Sequence, residues 1–124
     1  MVMGDSALQI VERHAGDVVV LMLSGEITLD DGDLAFGRWI DGLQARGSRK
    51  IIVDLAGVTY IDSAGVGMMA AMLKDVRKGG GDIRLLRLNT KGQRLLGVLK
   101  LKTTFELFDD EAAALRSFEF RPQG

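Results

Sequence analysis

An α/β fold with a mostly parallel central sheet is the fold class this sequence predicts, and three observations predict it. Short apolar runs alternate with longer stretches in which apolar residues recur every third or fourth position. The first two runs are separated only by a turn at Gly16 and Asp17, as in a hairpin. Later helical stretches end at glycine, first at Gly47 and then at Gly79, Gly80 and Gly81. Strands that alternate with helices require crossover connections, and crossovers make neighbouring strands parallel.

The elements follow in order β-β-α-β-α-β-α-β-α. "ALQIVERHAG" shows partial alternation and "DVVVLMLSGEI" is a continuous apolar run, so both read as strands of one sheet with Val18 to Leu23 well buried. From Asp31 to Arg46, Phe36, Trp39, Ile40 and Leu43 share one helical face, and Asp30, Asp31 and Asp33 sit where a helix N-terminus favours negative charge. Ile51 to Leu55 is a branched apolar strand of the kind covered on both faces. A helix runs from Ser63 to Lys78. "DIRLLRL" is a further strand, "TKGQRLLGVLKL" a helix opened by Thr90, "TFELF" a short strand and "DDEAAALRSF" a closing helix with acidic residues in its first turn. Residues 1–120 are expected to form one domain, with 121–124 as a loose tail.

Composition excludes several function classes. A chain of 124 residues with 47% hydrophobic content builds one core of ordinary size. Without cysteine there is no disulfide, thiolate metal site or thiol nucleophile, and a lone His14 makes no histidine-based zinc site. We expect no metal and no cofactor. No apolar run reaches the roughly 20 residues that span a bilayer, and "MVMGDSALQI" lacks a signal-peptide layout, so a cytoplasmic protein without membrane insertion is expected. A formal net charge of -1 argues against nucleic acid as a partner. The charge is uneven, however. Residues 1–62 hold ten acidic and five basic groups, whereas Lys74 to Lys102 holds nine basic groups against Asp75 and Asp82. That segment suits an acidic partner, although solvated basic faces would read the same way.

The specific signal is the stretch "YIDSAGVG", where Ser63 opens a helix. Val66, Met69, Ala70, Leu73 and Val76 fall on one side and form the core face. Ala64, Gly67, Met68 and Ala71 fall on the other, and no charge occurs from Ser63 to Leu73. A smooth, uncharged face of small residues with one flexible methionine suits docking of a partner, unless a second helix of the domain covers it. As a nucleophile, Ser63 lacks the earlier glycine of an elbow motif, since Ile61 stands there, and His14 is far upstream. Gly65 to Ala70 matches G-x-G-x-x-A, but it falls mid-chain and no acidic residue ends the next strand. A plain helix cap also fits, and Asp62 alone can supply it, leaving the Ser63 hydroxyl free in the first turn.

The stretch from Ile51 to Leu115, with "LSGEITLDDGDL" before it, resembles the STAS domain of anti-anti-sigma factors, the antagonists in bacterial partner-switching systems. The most specific part is Asp62-Ser63 followed by Ala64-Gly65-Val66-Gly67. The resemblance implies a STAS-like fold and a regulatory role without enzymatic activity. It implies that the unphosphorylated chain binds an anti-sigma factor that is also a serine kinase, releasing the sigma factor. It implies further that phosphorylation of Ser63 blocks this binding and that a PP2C-type phosphatase reverses it. Asp62, Ser63, Ala64, Gly65, Gly67, Met68 and Ala71 are then the expected partner-binding residues, and a monomer is expected. The other role open to a STAS domain is that of accessory subunit in a lipid transporter or stress-signalling complex. The chain departs from the family pattern in its acidic run Asp30-Asp31-Gly32-Asp33.

Overall fold

The computed structural model of the chain describes residues 8–28 and 31–119, and side chains from residue 34 onward within the first helix. Its elements are β1 (Leu8–Ala15), β2 (Val18–Ile27), α1 (Asp31–Ala45), β3 (Lys50–Ile61), α2 (Ser63–Lys78), β4 (Asp82–Leu86), α3 (Thr90–Val98), β5 (Glu106–Phe108) and α4 (Glu111–Glu119). This is the expected order. The expected tail at 121–124 and the expected role of Asp30 lie outside the described residues, as do the side chains of Asp31 and Asp33.

The strands form one sheet in the order β1-β2-β3-β4-β5. β1 pairs antiparallel with β2, and every other neighbouring pair is parallel. Because side chains alternate across a strand, odd and even positions of β2 face opposite ways. Val19, Leu21 and Leu23 pack with Ile51, Val53, Leu55, Ile83 and Leu85 in the larger core, beneath Phe36, Ile40 and Leu43 of α1, Val66, Met69 and Leu73 of α2, and Leu96 of α3. Val18 and Val20 pack with Ile52 and Leu86 on the reverse face, against Ala114 and Phe118 of α4. Arg84 is buried on that reverse face. Its charge is met by Asp82, its Nε donates to Ser117 Oγ at 2.9 Å, and it lies 4.2 Å from the Phe118 ring centroid. A buried guanidinium needs such partners, and these tie α4 to β4.

Some boundaries differ from expectation. β3 runs on from Leu55 to Ile61, pairing Gly57 with Ser24 and Ile61 with Ile27. A Cβ on Gly57 would stand 2.8 Å from Ser24 Cβ, so glycine is what lets the two strands close together here. α3 begins at Thr90, as expected, and is capped by Asn89, whose Oδ1 accepts from Gly92 N at 2.7 Å. The same helix stops at Val98 although the apolar pattern continues, because Lys100 takes a left-handed φ of 58°.

On the larger face α1 is anchored to the edge strand by a carboxylate. Glu12 accepts from Trp39 Nε1 at 2.7 Å and from Arg46 Nη2 at 3.1 Å, and its Oε2 lies 2.7 Å from His14 Nε2. Burial opposes ionisation of Glu12, but the hydrogen bonds from Trp39, His14 and Arg46 outweigh it and hold the carboxyl below its ordinary value.

Candidate functional site at the start of α2

The parallel strands β2 and β3 deliver the chain to the N-terminus of α2. At the last paired position, Ile27 opposite Ile61, the Asp62 N–H faces Ile27 O at 3.5 Å. Asp62 then adopts extended backbone angles, φ -107° and ψ 178°, and its Oδ1 accepts from Gly65 N at 2.8 Å. Its carbonyl accepts from Val66 N at 3.0 Å, the first intrahelical bond of α2. Asp62 is therefore the helix cap, and the Ser63 and Ala64 N–H groups lie ahead of the ladder.

Gly65 is buried because α2 begins in contact with the end of β2. A Cβ there would come within 2.4 Å of Ile27 O, a backbone atom that cannot move aside. Glycine at this position sets how closely the helix docks on the strand. That contact aims the neighbouring residues outward: Ser63 and Ala64 are exposed, and one and two turns on so are Gly67 and Ala71. A Cβ added at Gly67 would meet nothing within 4 Å. Met68 is half-buried and packs against the larger core. No other helix among the described residues covers Ser63, Ala64, Gly67 and Ala71.

The inner face of α2 consists of Gly65, Val66, Met69, Met72, Leu73 and Val76. Two residues differ from the expected pattern. Met72 belongs to the core, and Ala70 is only half-buried, on a flank of the helix. The exposed strip is also wider than α2 alone. α1 lies alongside, and Leu34, Gly37, Arg38 and Asp41 join Met68 and Ala71 in lining a groove of about 320 Å³. Leu34 is 60% exposed, an apolar side chain left in solvent at the groove's edge. A Cβ at Gly37 would stand 3.9 Å from Met72 Cε, an ordinary contact distance.

Two other chemistries are not built here. His14 pairs with Val19 at the start of β2, whereas Ser63 follows Ile61, opposite Ile27 at the end of that strand. Eight residues of strand separate the two positions by about 26 Å, far beyond the reach of a general base. The glycines of the G-x-G-x-x-A match lie within α2, after its cap, and Asp62 already occupies the Gly65 and Val66 N–H groups. They form no loop ahead of a helix. No described helix is long and apolar enough to cross a membrane.

Comparison with known proteins agrees with this geometry. The model of the STAS domain family matches residues 9–114. An anti-sigma F factor antagonist of Paenibacillus polymyxa is 28% identical over 112 residues, 90% of this chain and 96% of its own. A Thermotoga maritima protein provisionally named an anti-sigma factor antagonist is 31% identical over 100 residues, 80% of this chain and 88% of its own. The crystal structure of a Thermotoga maritima protein with the same provisional name matches with a TM-score of 0.80 at 26% identity, covering 90% of this chain and 95% of that one.

Proposed function

We infer the function from family and site together: the chain belongs to the STAS-domain family of anti-sigma factor antagonists, and it acts as an anti-anti-sigma factor. It binds an anti-sigma factor and thereby frees the sigma factor that the anti-sigma factor holds. The contact is made through the start of α2 and the adjoining groove. The observation that carries this reading is the exposed hydroxyl of Ser63 at the edge of an uncharged surface formed by Ala64, Gly67 and Ala71.

The anti-sigma factor is also the kinase that modifies Ser63. The Ser63 hydroxyl attacks the γ-phosphorus of ATP held by that partner. An Oγ–P bond forms, ADP leaves, and a base of the kinase takes the hydroxyl proton. A PP2C-type phosphatase restores the hydroxyl by hydrolysis. In the free protein the phosphate sits at the positive end of the α2 dipole, worth roughly 0.3–1 kcal/mol, with the Asp62 carboxylate beside it working against that gain. Folding stability therefore changes little. In the complex the same group would place about -1.5 to -2 charge inside a close-packed contact. An unpaired buried charge costs several kcal/mol, enough to dissociate the partners.

The test is phosphosite mapping after incubation with the cognate anti-sigma kinase and ATP. One phosphate at Ser63, lost in Ser63→Ala protein with an unchanged fold, is the expected result. Incorporation at Ser24, Ser48 or Ser117 in its place would overturn the assignment.

A further inference from the structure

The flank of α2 that faces α3 has a different character from the one beside α1. Ala70 and Leu73, with Leu101 from the turn after α3, form the floor of an open groove of about 580 Å³, and Lys74, Arg77 and Lys78 form its rim. The lining is overwhelmingly apolar beneath that rim. Arg77 is committed to the fold: its Nε donates to Asp82 Oδ1 at 2.9 Å and its Nη2 to Thr104 O at 3.1 Å, which pins the far wall. Lys74 and Lys78 form no ion pair among the described residues, and exposed Lys100 and Lys102 flank Leu101.

The turn that supplies Leu101 is built in a costly way. Lys100 adopts φ 58°, a place where helix ends usually put glycine, and the Leu101 N–H reaches back to Leu96 O at 2.7 Å. The acidic groups of this basic segment leave Lys74 and Lys78 unneutralised. Asp75 lines the groove on the opposite flank of α2, and Asp82 is held by Arg77 and Arg84.

We propose that this groove is a second docking surface, taking an acidic amphipathic segment of a partner protein. The segment's aliphatic side chains rest on half-buried Ala70 and Leu101, and its carboxylates meet Lys74, Lys78 and the two lysines beside Leu101. A groove walled by α2 and the turn after α3 favours a projecting side chain over a flat membrane surface. An open groove also fails to enclose a free acyl chain, since small-molecule sites bury about 70–90% of their ligand. The surface works independently of Ser63.

The experiment titrates the isotope-labelled full chain with a synthetic peptide that has leucine at every third or fourth position and glutamate between, followed by amide shifts. Shifts confined to Ala70–Lys78 and Leu101–Thr104, absent from Ser63–Gly67 and unchanged in Ser63→Ala protein, are expected. Affinity should fall as salt rises. The double variant Lys74→Glu, Lys78→Glu, exposed at both positions, should keep its spectrum and bind at least about tenfold more weakly, in keeping with like charges facing each other at a contact. Equal binding by the double variant, or by a peptide with serine in place of leucine, would overturn the proposal. So would shifts centred elsewhere, or capture of the chain by phosphatidylglycerol vesicles in preference to the peptide.

Discussion

The two halves of α2 meet solvent in opposite ways. From Ser63 to Leu73 the helix carries no charge, and its outer positions are serine, alanine and glycine with open space above Gly67. From Lys74 to Lys78 four of five residues are charged. The first half offers small, uncharged side chains, so close fit carries its recognition. The second can be recognised by charge over a recessed apolar floor. On the proposed reading, a single added charge is decisive in the first half and ordinary in the second.

Substitutions along α2 separate support from recognition. Leu73→Ala removes a side chain that is 1% exposed in the larger core, and should cost about 2–5 kcal/mol of stability by chemical denaturation. Gly65→Ala drives a methyl group against Ile27 O and should cost about 1–3 kcal/mol, the usual penalty of overpacking. A stable Gly65→Ala protein with full partner binding would mean that α2 can slide on β2. Asp62→Ala deletes the cap on Gly65 N, for an expected loss of about 1 kcal/mol.

Gly67→Leu and Ala71→Arg should leave thermal stability within about 0.5 kcal/mol, since both positions are exposed. Yet each should weaken anti-sigma factor binding strongly, because a packed interface centre does not absorb extra bulk or an unpaired charge. Unfolding by Ala71→Arg with tolerance of Leu73→Ala would reverse the two faces.

Acid acts on a different part of the molecule and more mildly. The carboxyl of Glu12 is held below its ordinary value of 4.5, so the ionised form is favoured by folding. Its contribution is present in full above that value and is lost as pH falls below it, through the lowered folded value. Trp39→Phe removes one of the donors, and should flatten this part of the stability profile between neutral and acid pH.

Much of this was legible in the sequence, because periodicity reports burial directly. The element order, the parallel sheet and the uncharged outer face of α2 follow from spacing, whereas the exposure of that face does not. What spacing misses is contact between elements. The apolar run of β3 stops at Leu55, where small Ala56 and Gly57 follow, and only pairing of Gly57 and Val58 with β2 continues the strand. Met72 is absent from the core face that spacing assigns, yet it packs into the larger core. Leu34 and Arg38 join the candidate site though they are distant in sequence and adjacent only in the fold. The break at Lys100 is hidden too, since a left-handed lysine carries no signature in the chain.

The central claim is that charge at Ser63 decides whether the start of α2 can dock. It is tested most directly by calorimetric titration of the cognate anti-sigma factor with two forms of this protein, unmodified and phosphorylated at Ser63, after melting curves show that both are equally folded. The account predicts that phosphorylation weakens the affinity by at least about 100-fold, or roughly 2.7 kcal/mol. Equal affinities for the two forms would contradict it.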